Sequence, residues 1–154
     1  MTLTASSGVA VSTNINIGLV APGIFSADAS GAGLAAAVVL RVRANGEQIY
    51  ESAVRFDATQ NRFVAVPIDV SDPREQVFLI LYGTGWRFRS RLSAVTVTAG
   101  GAEMETIYAG VQGTFTGLDQ INLRLSPNLA GRGEVDVNLT VDGVAANTVK
   151  INVK

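Results

Sequence analysis

The chain contains no cysteine and no histidine. Lack of cysteine excludes disulfides, a thiolate nucleophile and Cys-ligated metals. Lack of histidine excludes Ser-His-Asp and Cys-His triads, His-ligated zinc, and the side chain that most often acts as general base near neutral pH. Charge is sparse as well, at 16% of residues against about 25% in typical globular domains. The polar surface must therefore come from Thr, Ser, Asn and Gln, which give little electrostatic protection against self-association. A net charge of −1 provides no basic field for a polyanion, so nucleic acid is not expected as a partner. No apolar run reaches the roughly 18 residues of a membrane-spanning helix, and the chain is not expected to span a membrane. Met1-Thr-Leu-Thr lacks the basic and apolar regions of a signal peptide, which leaves a cytosolic protein or an excised piece of a longer one as the expectations.

What the chain does have is apolar alternation. Hydrophobic residues make up 47% of 154, enough for one domain with a sizeable core. In Glu134-Val-Asp-Val-Asn-Leu-Thr-Val141, one face carries Val135, Val137, Leu139 and Val141, and the other Glu134, Asp136, Asn138 and Thr140. Ile121, Leu123 and Leu125 alternate with Asn122 and Arg124, and Val149, Ile151 and Val153 with Lys150 and Asn152. Period-two patterns of this kind mark half-buried strands of antiparallel sheets. Val77-Phe-Leu-Ile-Leu-Tyr82 is continuously apolar and reads as a central strand covered on both faces. Asn45-Gly46, Gly100-Gly101 and Asp142-Gly143 are hairpin signals, because they supply the positive φ angles of two-residue turns. Gly33-Leu-Ala-Ala-Ala-Val-Val-Leu40 has helix-favouring alanines, but it runs straight into the Asn45-Gly46 turn and reads as strand. Many short strands between frequent turns predict an all-β, antiparallel, two-sheet sandwich.

The block Tyr108-Ala-Gly-Val-Gln-Gly-Thr-Phe-Thr-Gly-Leu-Asp-Gln120, the three alternating strands after it, and the openings Ala21-Pro-Gly-Ile-Phe25 and Gly33-Leu-Ala-Ala-Ala37 resemble an uncharacterised C-terminal domain of secreted acidobacterial (Solibacter-type) proteins. From about Val77 onward, with Leu81-Tyr-Gly-Thr-Gly-Trp86 at its entry, the chain looks like an immunoglobulin-like domain of the IPT/TIG kind. The resemblance covers roughly residues 20–154. It departs at Trp86, where a smaller aliphatic residue is expected. It implies an immunoglobulin-like sandwich and an extracellular or cell-surface location, and supplies no activity; no catalytic role and no cofactor are expected.

Residues 1–19 stand apart as an extended N-terminal strand arm, or as the last strand of a preceding repeat. Gly8-Val-Ala10, Ser12-Thr13 and Ile15-Asn-Ile17 echo Gly143-Val-Ala145, Asn147-Thr148 and Ile151-Asn-Val153. Such a strand can occupy a neighbour's sheet edge, which makes Ile15, Ile17, Val149, Ile151 and Val153 candidate assembly contacts. The expected partner is another protein, or a second copy paired through strand edges, as in a fibre or adhesin subunit.

Trp86-Arg-Phe-Arg-Ser-Arg91 is the most conspicuous polar-aromatic cluster. In an extended segment its arginines would share one face, and Trp86, Arg87, Phe88, Arg89 and Tyr108 would offer stacking and hydrogen bonds to a polysaccharide or an acidic partner. The alternative is that Trp86 and Phe88 plug the sandwich end. Tyr108 and Phe115 are expected to pin the loop between residues 109 and 118, leaving Asp119-Gln120 to satisfy backbone groups. Asp69-Val-Ser-Asp72 is the best local calcium candidate but lacks the dense Asp/Asn/Gly spacing of an EF-hand loop. Gly83-Thr-Gly85 and Gly110-Val-Gln-Gly113 precede no helix, so they read as turns and bulges rather than phosphate cradles.

Overall fold

A computed structural model describes residues 2–14 and 17–154. In chain order its strands are β1 (Thr2–Thr4), β2 (Ala10–Ser12), β3 (Gly23–Ile24), β4 (Ala37–Val42), β5 (Gln48–Ser52), β6 (Val54–Asp57) and β7 (Arg62–Ala65). There follow β8 (Gln76–Thr84), β9 (Val95–Ala99), β10 (Ala102–Val111), β11 (Asp119–Arg124), β12 (Gly133–Val141), β13 (Val144–Ala145) and β14 (Val149–Val153). All strand pairs are antiparallel. Among the described residues, helix is confined to two three-residue 3-10 turns, Leu92–Ala94 and Pro127–Leu129.

One hydrogen-bonded ribbon runs β5-β4-β8-β11-β10-β9-β12, with β3 also on β8 and both β13 and β14 on β12. The corner is β10. Its first residues, through Met104, pair with β9, whereas Glu105 and those beyond it pair with β11 across a bulge between Thr106 and Tyr108. A bulge bends a strand and re-aims its side chains, so β10 carries the ribbon from one sheet of a sandwich-like architecture into the other.

The far end of the ribbon returns to its beginning. Ala35 N–H donates to the Lys150 carbonyl at 2.9 Å, and Lys150 N–H to that of Gly33 at 2.7 Å. Ile68 N–H donates to the Asn152 carbonyl at 2.9 Å, and Lys154 N–H to that of Ile68 at 3.0 Å. Thus β14 is held by β12 on one edge and by parallel bridges to Leu34 and Ile68 on the other.

Alternation in the sequence becomes alternation in burial. Val135, Val137, Leu139 and Val141 of β12 enter one core with Val149, Ile151 and Val153 of β14, Val95 and Val97 of β9, and Ile121 and Leu123 of β11. A fully buried side chain of this size contributes about 1.5–3 kcal/mol. β8 is central, between β4 and β11; Val77, Leu79 and Leu81 are buried on one face, while Phe78 and Tyr82 on the other are only half-buried around buried Ile80. Gly100-Gly101 and Asp142-Gly143 form two-residue turns with positive φ at both positions. The Asn45-Gly46 turn is wider than expected: Arg43 N–H reaches the Glu47 carbonyl, and only Gly46 has positive φ, which gives a three-residue loop with a glycine bulge.

The expectation of an extended N-terminal arm is corrected. Thr2–Thr4 and Ala10–Ser12 pair as a hairpin, closed by Ala5 N–H on the Val9 carbonyl and Gly8 N–H on that of Ala5. Gly8 sits at φ 82°, and this left-handed residue folds the segment back on itself. The hairpin is exposed along both strands and, among the described residues, pairs with no other strand.

Candidate functional site

Trp86 lies where β8 leaves the sheet, and the two glycines before it make its place. A Cβ on Gly83 would sit 2.2 Å from the Gly23 carbonyl oxygen and 2.3 Å from the Trp86 ring. One on Gly85, at φ +88°, would sit 2.0 Å from the Ala21 carbonyl oxygen. The indole is completely buried and its Nε1–H donates to the Gln120 carbonyl at 3.3 Å. Beneath it, the Asp119 carboxylate is also fully buried. It accepts the backbone N–H groups of Trp86 (3.0 Å) and Arg87 (3.2 Å) and the Arg87 Nε–H (2.7 Å), and Arg87 Nη2 continues to the Leu118 carbonyl. Buried charge of this kind is tolerated because donors surround it.

This geometry corrects the stacking surface expected around Trp86, whose ring has no face open to a sugar. Residues 86–91 are also not an extended strand. Arg89 N–H turns back to the Trp86 carbonyl, so the three arginines do not share a face. Arg87 is spent on Asp119. Phe88 remains exposed, and Tyr108, half exposed, donates its hydroxyl to the Val111 carbonyl at 2.6 Å. Tyr108 and Arg89 both close over Gly110, where an added Cβ would meet the tyrosine oxygen at 2.8 Å and Arg89 Nη1 at 3.5 Å. Arg89 Nε is buried without a hydrogen-bond partner. β10 extends into the expected loop as far as Val111, and Phe115 is exposed rather than pinning that loop. The loop is held instead by Gln112, which accepts from the N–H groups of Thr114 and Phe115.

Of the expected assembly contacts, Val149, Ile151 and Val153 are core residues on a strand with both edges occupied. The alternation that suggested a contact strand is the alternation of a core strand. Ile17 is 94% exposed, and Ile15 lies outside the described residues. Among the described residues, the ribbon's open edge is β5, which pairs with β4 alone and exposes Tyr50.

Beside that edge, Arg41, Glu51, Asp69, Asp72, Glu75 and Lys154 line an open polar cavity of about 400 Å³. Arg41, almost buried, donates to Glu51 and Glu75 at 2.8 Å each and to the Asp69 carbonyl at 3.0 Å. The Ser71 hydroxyl on the Asp69 carboxylate draws its pKa down to about 2, and the Arg74 guanidinium does the same for Asp72. Lys154 also approaches Asp69 at 3.4 Å. Among the described residues, no group of three or more acidic side chains is arranged to hold a metal ion.

An aromatic pair not singled out in the sequence lies on the hairpin of β6 and β7. Phe56 and Phe63 stand directly opposite each other, ring centroids 5.4 Å apart at 73°, both with exposed surface. With Asp28, Leu34, Asn61 and Arg62 they line an open groove of about 510 Å³. The readable signal is the repeated Arg-Phe of Arg55-Phe56 and Arg62-Phe63 about a polar turn, whose pairing sets Phe56 opposite Phe63 and Asp57 opposite Arg62.

Comparison with protein-family models, curated proteins and solved structures found no match.

Proposed function

We propose that the chain is a non-catalytic extracellular structural or interaction module, an immunoglobulin-like sandwich of the IPT/TIG kind. In this reading it spaces, anchors or joins parts of a secreted protein, or serves as a fibre or adhesin subunit. The observation that carries it is the unequal treatment of the ribbon's two ends. The β14 end is closed by backbone hydrogen bonds, whereas among the described residues no strand but β4 pairs with β5, whose other edge lies beside exposed Tyr50. An open edge is a template for strand addition. The expected result is a solution mass that grows with concentration by light scattering, and that stays monomeric in Tyr50→Lys, which charges the edge. A monomer at every concentration in the unchanged chain would remove edge pairing from the reading.

A second reading, carbohydrate binding, is favoured by one observation: the exposed Phe56–Phe63 pair flanked by Asp28, Asn61 and Arg62. It moves the contact from Trp86 to aromatic surface that is open. Retention on insoluble polysaccharide, lost in Phe56→Ala/Phe63→Ala, is its expected result, and no retention on any polysaccharide sinks it.

A further inference from the structure

Residues 2–17 repeat residues 138–153 more fully than the glycine motif alone. Leu3-Thr4 stands against Leu139-Thr140, Gly8-Val-Ala10 against Gly143-Val-Ala145, and Ile15-Asn-Ile17 against Ile151-Asn-Val153. One residue is added in the turn and one is missing after Thr13. Short apolar patterns coincide easily, so the backbone is the deciding comparison, and it repeats as well. The pair Thr4↔Ala10 matches Thr140↔Ala145. The bond from Ala5 N–H to the Val9 carbonyl falls where Val141 pairs with Val144, and Leu3↔Val11 falls where Ala146 N–H reaches the Leu139 carbonyl. Gly8 and Gly143 share their left-handed φ, 82° and 79°.

Beyond the longer turn, what differs is the surroundings. Leu139 is 1% exposed and Leu3 61%; Val153 is 0% exposed and Ile17 94%. What covers Leu139 and Val141 in the domain is β9, whose Val97 and Val95 stand opposite them, with the core behind.

We propose that residues 2–12 are the closing hairpin of another module of this same architecture, joined through the residues after Ser12 to the domain that starts at β3. This inference rests on the structural-module reading and names its partner. In that module β1 occupies the place of β12, paired with a β9-like strand that buries Leu3. A second intact copy of the chain is not the occupant, because its own β12 is already flanked by β9 on one edge and by β13 and β14 on the other. Only the short stretch between Ser12 and Gly23 separates the two modules. At about 3.3–3.6 Å per residue it holds them within roughly 40 Å of each other.

The test is a chimera of the full chain in which residues 138–153 are replaced by a second copy of residues 2–17. One known contact must be restored. Asn147, at the position of Ser12, receives the Ile24 N–H and donates to the carbonyls of Ile24 and Gly31. A companion chimera therefore carries Ser12→Asn in the transplanted copy. The expected result is a single cooperative thermal transition in at least one of the two. Leu3→Asp in that transplanted copy should abolish the transition or lower its midpoint by about 10 °C or more. Leu3→Asp in the unaltered chain should leave the midpoint unchanged. Both chimeras lacking a transition, or melting alike with and without the aspartate, would overturn the proposal. So would concentration-dependent assembly of the unaltered chain that Leu3→Asp abolishes, since the occupant would then be a second copy. Either failure leaves the structural-module reading to be judged separately by Tyr50→Lys.

Discussion

Two aromatic sites sit on hairpins and turns of this domain, and they are opposites. At Trp86 an indole is enclosed by backbone that only glycine permits, over a carboxylate that gathers three donors. At Phe56 and Phe63 two rings meet edge to face across a short hairpin with solvent on one side. The first site holds the fold together and has nothing left to offer a ligand. The second contributes little to the fold and keeps its surface. Arginine is adjacent to both in sequence, so neighbouring charge does not distinguish them. Glycine at Gly83 and Gly85 does, because it lets the backbone close over the ring.

The largest effect should come from breaking the enclosed site at its centre. Trp86→Ala removes a fully buried indole from a place whose glycine-lined walls cannot collapse easily, and should cost about 3–5 kcal/mol in denaturant unfolding. Next is the carboxylate. Asp119→Ala strands the two backbone N–H groups and the Arg87 guanidinium, and about 3 kcal/mol is expected, with Asp119→Asn recovering part because it keeps an acceptor. A loss within about 0.5 kcal/mol for Asp119→Ala would mean that water replaces the carboxylate and that the corner is not closed. The smallest effect sharpens the contrast from the other side. Phe56→Ala/Phe63→Ala should cost no more than about 1.5 kcal/mol, the worth of an exposed aromatic pair, in the same unfolding measurement. A loss as large as that of Trp86→Ala would make the open groove a second core.

Much of the fold was legible because burial follows a period of two. β8, β11, β12 and β14 fall where alternation or continuous apolarity puts them, and two of three glycine turns have the expected form. Asp119 meets backbone groups as expected of the end of its loop, but nothing local to it signals its complete burial. What was not legible depended on long-range pairing. Nothing local to Val149, Ile151 and Val153 says that residues 33–35 and Ile68 will fill the outer edge of their strand. Likewise Trp86-Arg-Phe-Arg-Ser-Arg91 alternates like a strand, yet a buried aspartate 33 residues away captures its first N–H and folds it into a turn. The N-terminal hairpin hid behind its resemblance to a strand, because the turn that folds it depends on one glycine, Gly8.

The clamped last strand also decides how tension would pass through the molecule. β14 runs antiparallel to β12 but parallel to the backbone at Leu34 and Ile68. A pull entering near Gly23 and leaving at Lys154 slides these parallel segments lengthwise past one another. The bonds at Ala35, Lys150, Ile68 and Lys154 then share the load and must give way together, whereas strands drawn apart sideways release one bond at a time. In a string of such modules, each link would stay shut under strain until this seam sheared.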